Sequence, residues 1–175
     1  MSEENSSPIV QPEQHALVIP AFKDKKAASL VLNKTREGER RLPDSQNVTP
    51  VTYSELEFTF GEAYREIRNN MATVTSHLLN AQKVLEQEKA TVLLDLYPEF
   101  MQGRPKSQDN AQTRDAFLIR NKEYVEALDH VNKLKAFEAY LDGKIKVFER
   151  TCAAMKKKMD LIIRSGLSSQ QLYGK

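Results

Sequence analysis

The chain has 175 residues, 40% of them hydrophobic and 29% charged, and its formal net charge at pH 7 is +2. That balance gives no global argument for nucleic-acid binding, and one cysteine excludes an internal disulfide. Six glycines, seven prolines and no tryptophan favour long amphipathic helices over a β-sandwich, which requires frequent turns. Three scattered histidines and the lack of nucleotide-binding, zinc-protease or hydrolase motifs argue against a metal site, a cofactor and an enzyme.

The first residues, "MSEENSSPIV", are acidic and lack the basic-then-apolar order of a secretory signal peptide. No apolar run approaches the roughly 20 residues that span a bilayer. We therefore expect a soluble protein of the cytoplasm, which would be the host cytoplasm if a phage encodes it, without a membrane partner.

Residues 1–51 contain five of the seven prolines. Because proline breaks helices and lacks a backbone donor, this segment is predicted to be an extended, partly disordered basic arm. Two apolar pieces, "HALVIPAF" and "AASLVL", could each pack on a neighbour as a strand or as one helical turn. Seven basic side chains of the arm have no evident acidic partner, which leaves phosphate binding and simple solvation open: Lys23, Lys25, Lys26, Lys34, Arg36, Arg40 and Arg41.

The first long helix is predicted over about residues 53–97. Thr52 and Glu55 have the S/T-x-x-E form of a capping box ahead of a periodic run, and Pro98 with Gly103 ends the pattern. Apolar residues recur at steps of three and four along one face. They are Leu56, Phe60, Ala63, Ile67, Met71, Val74, Leu78, Ala81, Leu85, Val92 and Leu96.

A second helix is predicted over about residues 110–165, with Asp109 or Asn110 as its N-cap and Gly166 as its C-cap. Residues 167–175 are expected to be a flexible tail. The apolar positions alternate by four and three from Leu141 onward, as in a coiled coil. They include Phe117, Tyr124, Leu128, Val131, Leu134, Leu141, Ile145, Phe148, Cys152, Met155, Met159 and Ile162.

The two apolar stripes predict an all-α fold, a long antiparallel, coiled-coil-like helical hairpin with a corner at about residues 98–109. Folding near residue 106 pairs positions whose numbers sum to about 213 and would set acidic residues of the first helix against basic residues of the second. Apolar residues off the stripes are expected to contact the arm or other subunits, which predicts self-association. They are Leu79, Val84, Leu93, Leu118, Phe137 and Leu161.

The corner is a second candidate for contact with phosphates, because Lys and Arg clustered on one surface neutralise a nucleic-acid backbone. Aromatic side chains would add base stacking, and Tyr97 and Phe100 are expected to be more available for it than Phe117 and Tyr124. The basic residues of the corner are Arg104, Lys106, Arg114 and Arg120.

The segment "EKATVLLDLYPEFMQG", the polar basic break, the re-entry "TRDAFL" and the long helix that follows resemble the phage UvsY-like recombination mediators over roughly residues 70–164. The resemblance implies a ring-like homo-oligomer that binds single-stranded DNA through Lys and Arg. It also implies contact with a recombinase and a single-strand-binding protein. The alternative is a helical adaptor or structural module that binds a protein partner without nucleic acid.

Overall fold

The computed structural model describes residues 16–173, with side chains described for residues 16–165. Helices dominate it, which confirms the all-α prediction. A small β-hairpin, β1 (Ala16–Ile19) and β2 (Ala28–Val31), comes first, and five helices follow. These are α1 (Asn33–Arg41), α2 (Pro50–Thr91), α3 (Tyr97–Met101), α4 (Ala111–Leu118) and α5 (Lys122–Tyr173).

The long helices α2 and α5 share the main core. The rings of Phe60 and Phe148 lie 5.7 Å apart, and the Thr75 hydroxyl donates to Glu138 over 3.5 Å. These contacts run in opposite order along α2 and α5, as they must when two helices lie side by side in opposite directions. The predicted stripe residues that are buried in this core are Leu56, Phe60, Ala63, Ile67, Val74, Leu78, Ala81, Val131, Leu134, Leu141, Ile145, Phe148, Met155 and Met159.

Residues 16–47 differ from the extended arm expected from the prolines. The two apolar pieces are the strands of the β-hairpin, paired antiparallel from Ala16 with Val31 to Ile19 with Ala28. Ile19, Leu30 and Leu32 are buried in the same core as the long helices. Burial of these side chains offsets the entropy of ordering the segment. Residues 1–15 of the expected arm lie outside the described residues.

The short helix α1 packs on α2 and depends on it for its N-terminal cap. Its own N-cap residue, Leu32, has no side chain that can accept a hydrogen bond. The carboxylate of Glu66, on α2, accepts instead from the backbone N–H of Lys34 at 3.1 Å and of Thr35 at 2.7 Å. The Thr35 hydroxyl, almost fully buried, donates to the same carboxylate over 2.8 Å. A side chain distant in sequence therefore satisfies the free donors of this helix end.

The ends of the long helices differ in detail from the prediction. Thr49 is the N-cap of α2, in a capping box with Thr52 rather than one from Thr52 to Glu55. The predicted second helix is divided, because α4, capped by Asn110, ends before a short break at residues 119–121. Helix α5 continues past the expected C-cap, Gly166, to Tyr173, so residues 167–173 of the predicted tail are helical.

Between α2 and α3 the helix widens into one π-helical turn, Val92–Leu96. The backbone N–H of Tyr97 donates to the carbonyl of Val92, five residues back, where an α-helix would use the residue four back. Val92 is buried, as the stripe predicts, but Leu96 is exposed, contrary to that prediction. The turn changes which side of the helix faces the core from this point on.

The expected register, with paired positions summing to about 213, agrees with two hydrogen bonds between α2 and α5: Thr75 donates to Glu138, and the Tyr64 hydroxyl donates to Glu149 over 3.3 Å. Three acidic residues of α2, however, have other partners than the basic residues of α5 expected for them. Glu55 contacts Arg41, and Glu62 contacts Arg65 on its own helix. Glu66 is used by α1, as described above. The contact between Arg68 and Glu149, at 3.8 Å, does cross between the helices. Helix α1, packed beside α2, supplies the partners of Glu55 and Glu66.

Off the stripes, the predicted apolar flanks take different positions. Leu79 and Leu161 are exposed, whereas Leu118 is buried. Phe137 packs partly against the core and lines a groove with the β-hairpin.

Candidate nucleic-acid interface

At the corner, α3 and α4 meet through three aromatic rings. The centroids of Phe100 and Phe117 are 4.7 Å apart, and Tyr97 lies 5.9 Å and 5.4 Å from them. Tyr97 is buried, which corrects the expectation that it is available for stacking. Phe100 and Phe117 are half-buried, so each keeps part of its ring at the surface.

Two arginines border the exposed part of this aromatic cluster. The guanidinium carbon of Arg104 lies 3.8 Å from the centre of the Phe100 ring, a close cation–π contact. Arg104 and Arg120 line one concave surface of about 310 Å³ together with Phe100 and Phe117. The other residues of that surface are Gln112, Thr113 and Ala116. A guanidinium packed on an aromatic ring, with a second arginine on the same concave surface, combines the two residue types that single-stranded nucleic-acid binding sites use.

Arg114 is held by the fold at the same corner. Its Nε donates to Asp109 over 2.8 Å, and the Tyr97 hydroxyl donates to the same carboxylate oxygen over 3.1 Å. The Arg114 hydrogen bond holds the pKa of Asp109 below its usual range, while burial raises the pKa of Tyr97. Through Asp109, Arg114 on α4 is therefore linked to Tyr97 on α3.

Lys106 lies in a short 3₁₀ turn, Lys106–Gln108, between the two helices of the corner. All residues from 102 to 112 are exposed, so this turn is open to solvent on the surface next to the aromatic cluster. Of the four basic residues predicted for the corner, Arg104 and Lys106 lie between α3 and α4, Arg114 lies on α4, and Arg120 follows it; Arg104 and Arg120 share one concave surface.

Two basic residues of the β-hairpin, Lys23 and Lys25, have partners in the fold, and that of Lys23 is acidic, contrary to the prediction. Lys23, in the turn between the strands, binds Glu88 of α2 at 3.0 Å, and this hydrogen bond raises the lysine pKa. The Nζ of Lys25 lies 3.4 Å from the Ser76 hydroxyl. Lys26 is exposed beside them.

The basic residues of α1 are also largely engaged. Arg41 contacts Asp44 at 2.6 Å and Glu55 at 2.8 Å, and Lys34 contacts Glu37 at 3.2 Å. Arg40 donates to the carbonyl of Arg36 over 3.4 Å, and both side chains are exposed.

The structure does not bring the arm residues into one patch. Lys23 lies beside Glu88 and Arg41 beside Glu55, positions that are about 50 Å apart along α2 at 1.5 Å per residue. At the corner, in contrast, Arg104 and Arg120 line the same concave surface.

Sequence reasoning missed the contribution of Phe117 to the corner surface. Its position on the apolar stripe predicted a core residue, because periodicity cannot reveal that the helix breaks at residues 119–121. Gln112 and Thr113 were missed as well, and no pattern in the sequence marks them.

No protein-family model, no curated protein and no solved structure matches this chain. Within residues 16–165, no group of three His, Cys, Asp or Glu side chains is placed to hold a metal ion. Among the described helices, none combines the length and apolar character needed to cross a membrane.

Proposed function

We propose that the protein is a non-enzymatic, self-associating accessory protein of recombination or replication that binds single-stranded DNA. The corner surface formed by Phe100, Arg104, Phe117 and Arg120 is its principal contact. The observation that carries the proposal is the placement of Arg104 over the Phe100 ring, with Arg120 on the same concave surface. Arginine would supply phosphate neutralisation, and the accessible part of the half-buried Phe100 and Phe117 rings would supply a surface on which unstacked bases stack.

The arm has a smaller part in this proposal. Lys23, Lys34 and Arg41 are in ion pairs with acidic side chains of the same chain, so their charges are partly neutralised before any ligand arrives. Lys26, Arg36 and Arg40 are exposed and would add DNA contacts outside the corner. As in the family that the sequence resembles, a recombinase and a single-strand-binding protein would be its protein partners in the cytoplasm.

Fluorescence anisotropy of a labelled oligothymidine tests the proposal at two salt concentrations. Arg104→Glu combined with Arg120→Glu should weaken binding at low salt by about ten-fold or more. It should also reduce the slope of log K against log salt by about 1.4, at about 0.7 per lost phosphate contact. Arg114 is left intact, because its contact with Asp109 stabilises the corner.

The matched control is Lys156→Glu combined with Lys157→Glu, exposed residues near the other end of α5. Both double variants change the net charge by the same amount, so a difference between them isolates the corner from the overall field. If the two double variants weakened oligothymidine binding equally, or if the parent protein did not bind at low salt, the corner would not be the principal DNA contact.

The adaptor alternative is favoured by a separate observation. Leu94 is 73% exposed in the π-helical turn and Ile119 is 66% exposed after α4, both near the corner. Exposed apolar side chains such as these are more typical of a surface that binds another protein than of one that binds phosphates. Light scattering that shows association of the parent and its loss in Leu94→Glu with Ile119→Glu, together with no DNA binding, would support this alternative.

A further inference from the structure

An apolar groove of about 660 Å³ lies between β1 and α5, away from the corner. Leu17, Val18 and Pro20 form one wall of the groove, and Leu134, Phe137 and Tyr140 are among the residues of the other. Val18 is 61% exposed and Tyr140 is 44% exposed. This much open apolar surface on both walls is typical of a site that a peptide or another apolar group covers.

The groove also borders an unpaired strand edge. In the described part of the chain the sheet has two strands, so the edge of β1 that is not paired with β2 carries no partner strand. Free N–H and C=O groups on an edge strand are a template for an added strand, and an apolar wall beside them receives its side chains.

The segment of this chain that precedes β1 has the reach and composition to fill the groove. Residues 1–15 end directly before Ala16, one residue from the groove wall at Leu17. Ile9 and Val10 are adjacent apolar residues in this segment, and Val10 lies about six residues before Ala16. At about 3.3 Å per extended residue that distance spans roughly 20 Å, enough to double back along β1.

Charge favours the same occupant. Residues 1–15 contain three acidic residues, Glu3, Glu4 and Glu13, and no Lys or Arg. Lys133 lies on the groove wall, and its charge would attract an acidic segment. An acidic segment with a short apolar centre matches an apolar groove with a basic residue on its wall.

We propose that the N-terminal segment of the same chain occupies this groove, with Ile9 and Val10 packed between β1 and the 133–140 face of α5. This site is independent of the corner and of DNA binding. It covers the apolar wall and the free edge of β1 with the chain's own residues.

Cross-linking in the full-length chain tests the proposal. In a Cys152→Ser background, Val10→Cys is combined with Ala136→Cys, which lies on the groove wall. The control combines Val10→Cys with Ala90→Cys, an exposed alanine on α2 outside the groove. We expect an intramolecular disulfide, seen in the intact mass as the loss of two hydrogens, to form about ten times faster at position 136 than at position 90.

Three results would overturn the proposal: equal rates at the two positions, no disulfide at either, or disulfides only between chains. The last result would assign the groove to a second copy. Adding Ile9→Asp to the position-136 pair should slow the intramolecular reaction several-fold, because a carboxylate replaces the apolar group that the groove is proposed to bury. An unchanged rate in that variant would also count against the groove as the docking site.

Discussion

Replacement of Gly38 by alanine tests how tightly α1 packs on the long helices. A Cβ at this position would lie 2.8 Å from the Phe148 ring and 2.9 Å from the Cβ of Ala63. Alanine gains about 1 kcal/mol in helix propensity, but overpacking a core typically costs about 1–3 kcal/mol. Both neighbours are buried, and the Ala63 Cβ is fixed to the backbone of α2. We therefore expect Gly38→Ala to lower the free energy of unfolding by about 1 kcal/mol.

Gly61→Ala is the matched control, because Gly61 lies within α2 and a Cβ there would meet no atom within 4 Å. That variant keeps the propensity gain and has no clash, so its free energy of unfolding should rise by about 0.5–1 kcal/mol. Urea denaturation followed by circular dichroism at 222 nm measures both. If Gly38→Ala were as stabilising as Gly61→Ala, the close packing of α1 against Phe148 and Ala63 would be refuted.

Three further predictions concern single side chains. Glu66→Ala should destabilise the protein by about 2 kcal/mol in urea titration, because it removes a charged acceptor from two N–H groups and a buried hydroxyl. Glu62→Ala, which loses only its contact with Arg65, should change stability by less than about 0.5 kcal/mol. Burial lowers the pKa of His130 below 6.5, its ordinary value. As the pH falls past 6.5, the unfolded chain therefore binds more protons than the folded chain, which favours unfolding. The melting temperature should drop between pH 7.5 and pH 5.5. His130→Phe should reduce that drop. Burial raises the pKa of the Cys152 thiol, so its reaction with a disulfide reagent at pH 8 should be slower in the folded chain than in urea.

Burial also lowers the pKa of His77, so this residue too should make the folded chain less stable as the pH falls. The two histidines lie near the turn of the β-hairpin, where the ring of Phe22 stacks on His130 at 4.1 Å between centroids. Besides burial, His77 and then Lys133 lower the pKa of His130, and Lys25 lowers the pKa of His77, so each of these charges disfavours protonation. A melting temperature independent of pH over this range would contradict the burial of these side chains.

The sequence predicted the stripes of α2 and α5 well, since both follow a period that burial imposes on any long amphipathic helix. Leu56, Phe60 and Ile67 on one helix and Leu141 and Phe148 on the other are buried as that period requires. The two apolar pieces of the arm were expected, from their composition, to pack on a neighbour as a strand or as one helical turn, and the structure shows a strand in each.

Helix α1 could not be predicted in the same way. Its sequence, "NKTREGERR", contains no large apolar residue, and the residues it buries are Thr35 and Gly38. Its N-terminal cap comes from Glu66, a residue 31 positions from Thr35 in sequence, which no local signature reveals. The partners of Glu55 and Glu66 were missed for a related reason, because the charge argument assumed two helices and the fold places α1 beside them.

The corner surface was predicted in part. The sequence shows that Arg104, Arg114 and Arg120 are close together along the chain, but it does not show that their contacts differ. Only the fold shows that Arg114 is tied to Asp109 while Arg104 lies over an aromatic ring. DNA binding by this surface stays a prediction until the oligothymidine titration is made.

The π-helical turn Val92–Leu96 determines the rotation of α3 about the helix axis relative to α2. Because it holds one residue more than an α-helical turn, everything beyond Val92 is rotated by about 100° relative to an uninterrupted helix. Excision of one residue there, such as Leu94, would keep α2 and α3 helical yet swing Tyr97 and Phe100 away from α4. One residue of chain length thus decides whether the aromatic rings and arginines meet at all.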